Sequence, residues 1–515
     1  MIGSWRQLFR PPAWVSAFGT RFMPFADAAS AELPLGRLLR LSLFQFAIGL
    51  STALLVGTLN RVMIVELQVP AWWVAVAVAM PLVFAPLRAL IGYRSDTHPS
   101  ALGLRRIPYL WIGTLLLFGG LAIMPFALLL LSEATPDNLW VGRMGAALSF
   151  VLVGAGMQVT QTAGMALATD LSSPEKRPRV VALLYSMLLL GMVVSSAAFG
   201  ALLADFGPVR LIQVVQGSAV VVAGLNLLSL WKQEARGAKR GQRAQNGFSM
   251  SWQRLMAMPH MNRYLWALGL GTAAFGMQDI ILEPYGGEIL GLNVGMTSSL
   301  TALSAGGSLL AFALSARGLA RGIDPCRLAG MGALIGLPAF ACVIFSAPLQ
   351  APLLFQTGAL LVGLGGGFFS VGMLVCAMNM AQGDQAGLVL GAWGAVQATA
   401  AGLAMAAGGV LRDLVNQLAI HDWLGHSLNM PATGYSFVYH VEIYMLFVVL
   451  VALGPLVRNQ TARPTSQQPT FGLVELPGCT HTYFLRRRPW KQAQSPSTSM
   501  WPNSCCMPFG HFLPA

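Results

Sequence analysis

Two carboxylates inside an apolar run are the chemically oddest feature of this sequence: Asp279 and Glu283, followed by Pro284, Tyr285, Gly286 and Gly287. A spacing of four puts both on one face of a helix. Counted from Arg263 at ~1.5 Å per residue, they lie ~24 Å and ~30 Å along it. Ionisable groups at such depth are costly and mark a pathway, a pair or a partner, unless the segment ends in a solvated mouth there. Arg61 ends an earlier apolar run at comparable depth, so a salt bridge from Arg61 to Asp279 or Glu283 is expected to close that mouth. Pro284 and the Gly286-Gly287 pair predict a broken helix end beside it. Gln158 and Gln161, three apart in another apolar run, either line a cavity or bond a neighbouring helix. The chain has no Walker loop, no catalytic-triad arrangement and no cysteine pair at metal-ligand spacing. No enzyme and no metal site are expected.

The elements that must position these residues follow from composition. Of 515 residues, 55% are hydrophobic and only 10% charged, where a soluble domain carries roughly 25%. Apolar runs near the ~20 residues needed to cross a bilayer fall at about 39–60, 71–93, 108–131, 139–168, 180–203 and 211–231. A second set falls at 264–290, 297–316, 327–346, 351–378, 386–411 and 437–457. The expected fold is an all-α membrane protein of twelve transmembrane helices in two six-helix halves, 38–231 and 264–457, joined by a polar linker, 232–263. All but four (Arg61, Arg143, Arg210 and Arg412) of the 32 Lys and Arg residues fall in the termini and the even-numbered connections. The positive-inside rule places these on the cytoplasmic side, together with both termini. Residues 1–37 read as a basic, aromatic arm and 458–515 as a disordered tail.

The connection after the second run reads Gly92-Tyr93-Arg94-Ser95-Asp96, then Gly103-Leu104-Arg105-Arg106. It resembles the G-x-x-x-D-R-x-G-R-R signature of the major facilitator superfamily, with Thr97 to Leu102 inserted between the acid and the paired arginines. Three further strings resemble one branch of that superfamily: Leu59-Asn60-Arg61-Val62-Met63-Ile64-Val65-Glu66-Leu67, Arg88-Ala89-Leu90-Ile91-Gly92 through Ser95-Asp96-Thr97-His98, and Gln278-Asp279 through Leu282-Glu283-Pro284-Tyr285-Gly286-Gly287. That branch is the bacteriochlorophyll-delivery (PucC/LhaA) family of phototrophic bacteria. The resemblance runs from about residue 34 to 478; the segment after Gly478 departs from it.

The resemblance implies a major-facilitator-like bundle in the inner, intracytoplasmic photosynthetic membrane. Its role would be to assemble light-harvesting complexes, with bacteriochlorophyll or a precursor as a transient ligand. Expected partners are the antenna polypeptides, with pigment-synthesis or membrane-insertion machinery beside them, and no nucleic acid. Asn60, Arg61, Glu66, Asp279, Glu283 and Tyr285 are the candidates for an outer gate or ligand site. Gly92, Asp96, Arg105 and Arg106 form the cytoplasmic motif, and Gln158 and Gln161 are cavity candidates. All seven histidines lie in connections, tails or at a helix edge, and only His440 comes near the hydrocarbon. A permanent, deep, histidine-held pigment is therefore not expected. A proton-coupled transporter of a small solute, using Asp279 or Glu283, and a pigment-free scaffold for antenna polypeptides are the competing readings.

Overall fold

The computed structural model describes residues 33–83, 106–132, 139–173, 176–231, 233, 253, 256–380, 386–421, 423, 425 and 430–457. Most of the aromatic arm, most of the linker and the tail lie outside them. Twelve helices are seen among these residues. In the first half they are α1 (Leu35–Glu66), α2 (Ala71–Val83), α3 (Ile107–Ser132), α4 (Leu139–Leu171), α5 (Arg177–Leu202) and α6 (Pro208–Leu230). In the second half they are α7 (Met261–Glu288), α8 (Val294–Ala320), α9 (Pro325–Ser346), α10 (Pro352–Met380), α11 (Ala386–Ile420) and α12 (Thr433–Leu453). Eleven are long and apolar enough to cross a membrane; α2 is described over only its first 13 residues. The chain is a multi-pass membrane protein.

Helix ends are set by local chemistry. Asp324 caps α9 by accepting from the backbone N–H of Cys326 (2.9 Å) and Arg327 (3.1 Å), with Pro325 at the first helical position. Asn293 does the same for α8 through Met296 N–H at 2.7 Å. Two helices overrun their expected ends by well over a turn. α1 continues past residue 60 through Arg61 to Glu66, and α11 continues past 411 through Arg412 and Asp413 to Ile420. In both, the charges that suggest an end are paired with other side chains of the protein, so they do not terminate the helix.

The neighbours of each helix repeat after a shift of six. α3 packs on α4 and α6 as α9 packs on α10 and α12; α1 packs on α4, α5 and α6 as α7 packs on α10, α11 and α12. The halves meet through α2 against α11 and α5 against α8, contacts that exchange under the same shift. Small residues allow these approaches. A Cβ on Gly200 of α5 would stand 3.0 Å from the Gly295 carbonyl of α8, and one on Gly409 of α11 would stand 2.8 Å from the Ala71 carbonyl of α2. Within the second half, Gly363 and Gly367 bring α10 onto α8, where Ser308 Oγ donates to the Gly363 carbonyl at 2.9 Å.

Candidate functional site at the end of the bundle opposite the basic face

α1 and α7 both lose regular α-helical geometry where they approach one another. α1 passes into π-helical turns at Ala53–Leu59 and Val62–Glu66. α7 tightens into a 3₁₀ turn at Met277–Ile280 before Leu282–Glu288 resumes the α-helix. The expected break thus falls before Pro284 rather than at the glycine pair. Pro284 sits in the first turn of the resumed segment, where its missing N–H costs nothing. The glycines serve contact instead: a Cβ on Gly287 would stand 3.3 Å from Arg61 Nε.

Hydrogen bonds that cross between the halves gather here. Asn60 Nδ2 donates to the Ile280 carbonyl at 2.7 Å, Arg61 Nη2 to the Leu292 carbonyl at 3.2 Å, and the Thr58 and Ser298 hydroxyls pair at 3.2 Å. Arg61, however, takes its ion-pair partner from its own helix, Glu66, at 2.5 Å. The expected bridge to Asp279 or Glu283 is not formed. The physical reason lies in the π turns, whose i→i+5 repeat brings residues five apart onto one face.

The acids of α7 are held separately. Glu283 is buried; its Oε1 accepts from the Thr301 hydroxyl, while Oε2 is buried without a hydrogen bond. Asp279, half-buried, accepts from the Gln278 side-chain amide. Tyr285 is fully buried within the second half, its hydroxyl 3.3 Å from the Val343 carbonyl and its ring 5.2–5.8 Å from those of Tyr435, Phe355 and Tyr439. Glu66 is partly exposed beside a small cavity of about 190 Å³ shared with α3 and α6.

Sequence reasoning misses two parts of this region. Arg412 of α11 binds Glu288 of α7, Asp413 Oδ1 at 2.6 Å and the Tyr435 hydroxyl of α12 at 3.0 Å. Tyr435 in turn donates to Glu288 at 2.8 Å, and Asp413 Oδ2 accepts the Trp72 backbone N–H at 2.7 Å, which ties α11 to the start of α2. The second part is Glu442 of α12, fully buried, with the Gln278 backbone N–H and Asp279 of α7 facing its carboxyl. The signal for it is present in the sequence: an acid in the middle of an apolar run.

Gly92, Asp96 and Arg105 lie outside the described residues. Arg106 is buried and pairs with Asp170, at the end of α4, at 3.1 Å. Gln158 is buried and Gln161 half-buried in α4, and neither lines the grooves found on other helices.

The larger groove lies between α1, α5 and α6. It has a volume of about 530 Å³, within the range of small-molecule sites. Phe46, Leu50, Phe199 and Val214 form its floor, exposed Val194 and Val221 flank its opening, and Arg210 and Gln213 stand on its wall. A second groove, of about 160 Å³, lies between the halves and is bordered by Tyr185, Phe312, Trp393 and Gln397.

The family profile described as "PUCC protein" matches residues 58–461. The chain belongs to the PucC family. Protein PucC of Rhodovulum sulfidophilum is 53% identical over 409 residues, covering 78% of this chain and 90% of the relative. The "Bacteriochlorophyll synthase 44.5 kDa chain" of Rhodobacter capsulatus is 29% identical, covering 83% and 97%. Among solved structures, a bacterial homologue of the iron transporter ferroportin in its inward-facing state superposes with a TM-score of 0.59 at 16% identity, covering 81% of this chain and 97% of that one. The nucleoside transporter NupG gives 0.57 at 14%, covering 82% and 100%. The fold of this PucC-family chain is therefore a major-facilitator bundle. The α1–α7 contact and the Arg412 network lie within the matched residues, whereas the arm, and the tail beyond residue 461, do not.

Proposed function

We propose that this protein serves the assembly of light-harvesting complexes by holding bacteriochlorophyll, or a late precursor, in the photosynthetic membrane of a phototrophic bacterium. The observation that carries this reading is the apolar groove between α1, α5 and α6, with exposed Val194 and Val221 at its edge. An amphiphilic pigment dissolved in a bilayer enters such a groove without crossing water, and Arg210 and Gln213 offer its polar substituents partners. A relative named as a bacteriochlorophyll synthase chain supports the same chemistry. In this reading the protein is a carrier rather than a catalyst. Antenna polypeptides are its clients, pigment-synthesis or membrane-insertion machinery works beside it, and its basic face and both termini lie in the cytoplasm.

One observation favours a second reading, proton-coupled movement of a small solute: the fully buried carboxyl of Glu442 near Asp279. Purification in mild detergent from phototrophically grown cells separates the two. Bacteriochlorophyll absorption and antenna polypeptides travelling with the protein are expected. Antenna polypeptides without pigment would leave a scaffold. The absence of both, together with Glu442-dependent proton uptake in vesicles, would overturn the proposal in favour of transport.

A further inference from the structure

α12 presents one unpartnered face along its whole length: Phe437, His440, Tyr444, Phe447, Val448 and Val451 are all exposed. Their spacings of three and four put them on one side of the helix, outside the bundle. Five of the six are apolar or aromatic, as a lipid-facing surface requires. His440 is the exception. It lies seven residues into Thr433–Leu453, or ~10 Å along the axis from the start of the helix.

The ring is oriented. Nδ1 lies 2.7 Å from the Ser436 carbonyl, and a carbonyl oxygen only accepts, so Nδ1 carries the hydrogen. In this tautomer Nε2 carries a lone pair. Where this face of α12 meets hydrocarbon, a lone pair of this kind has no water to bond and is costly without a partner. An imidazole whose other nitrogen donates to a backbone carbonyl is also the arrangement by which proteins orient metal-ligating histidines and raise their basicity.

The partner must be apolar enough to sit in lipid and must carry an electron-pair acceptor. A metallochlorin meets both conditions, because its central magnesium, held by four ring nitrogens, accepts one more axial donor. Phe437 and Tyr444, one turn before and one turn after His440, supply aromatic surface on either side of that donor. We propose that His440 Nε2 is an axial ligand for the magnesium of a bacteriochlorophyll held on the outer face of α12, separate from the groove of the first half. This rests on the pigment-handling reading above and assigns it a coordinating residue.

The test uses the full-length protein in lipid nanodiscs, titrated with bacteriochlorophyll a and, separately, with metal-free bacteriopheophytin a. Binding is followed by the absorption and resonance Raman bands that report axial coordination of magnesium. Wild-type protein is expected to show the coordinated species with bacteriochlorophyll only. His440→Phe, which keeps a ring on an exposed site and so should leave helix content unchanged, is expected to lose it. His440→Ala is expected to regain it when free imidazole is added. Pigment binding that is indifferent to magnesium and unchanged in His440→Phe would overturn the ligand assignment while leaving pigment handling intact. Failure of wild-type protein to bind either pigment would overturn both. Loss of the signal in His440→Ala without rescue by imidazole, together with its retention in His440→Phe, would assign the site to packing and not to coordination.

Discussion

Arg412 and Arg61 occupy the same end of the bundle but differ in what their removal would leave behind. Arg412 serves Glu288, Asp413 and Tyr435 at once, so Arg412→Ala leaves Glu288 with only the Tyr435 hydroxyl and Asp413 with only the Trp72 N–H. A cost of about 2 kcal/mol is expected, as for the loss of hydrogen bonds to charged groups. Arg61 serves Glu66, whose side chain is 35% exposed and can turn to water, so Arg61→Ala is expected to cost about 1 kcal/mol through that pair. Thermal unfolding in detergent reads the order, and a larger loss for Arg61→Ala would refute this assignment. The pairing also predicts that Arg61→Glu is rescued by Glu66→Arg and not by Glu283→Arg. Legibility at this scale was uneven. Asp279 and Glu283 announce themselves as acids within an apolar run, and their depth can be counted from Arg263. Their partners cannot, because Thr301 and Gln278 are chosen by helix rotation and rotamer, which spacing does not encode. Glu442 satisfies the same criterion as Asp279 and was readable. Arg61 is readable as a charge at the far end of an apolar run, but its link to Glu66 exists only because α1 is π-helical there, and no residue type in Ala53–Glu66 signals that geometry.

The elements were largely legible because hydrocarbon thickness imposes length: each apolar run became a helix, and the errors lie at ends where charge was read as solvent. α11 shows this best, since Arg412 and Asp413 look like a terminus until Glu288, Tyr435 and Trp72 are brought beside them. Grooves are harder to foresee, since they form where two helices fail to meet. The one between α1, α5 and α6 can be tested at Gly217, where an added Cβ meets nothing within 4 Å. Gly217→Trp is expected to fill the groove without moving α6, lowering pigment recovered with the purified protein several-fold at unchanged membrane abundance. Gly217→Ala should resemble wild type. Equal pigment recovery in the Trp variant would remove this groove from the pigment route.

For the whole molecule, the uneven division of Lys and Arg predicts the orientation. A cysteine introduced at Ala238 in the polar linker should react with an impermeant thiol reagent only after cells are opened, and labelling of intact cells would invert the proposed topology. The exchange of neighbours between the halves carries a different consequence, for synthesis. Because α2 meets α11 and α5 meets α8, the faces of the first half that will bear on the second have no protein against them when the ribosome reaches the linker. At 5–20 residues per second, translating from the linker to the end of α12 takes roughly 10–50 s. Throughout that interval the half-made protein shows the membrane a small-residue surface, including Gly200, built for close contact with another helix. Any helix of suitable shape inserted nearby competes for it, so the rate at which the second half is delivered helps decide whether the chain closes on itself or on a neighbour.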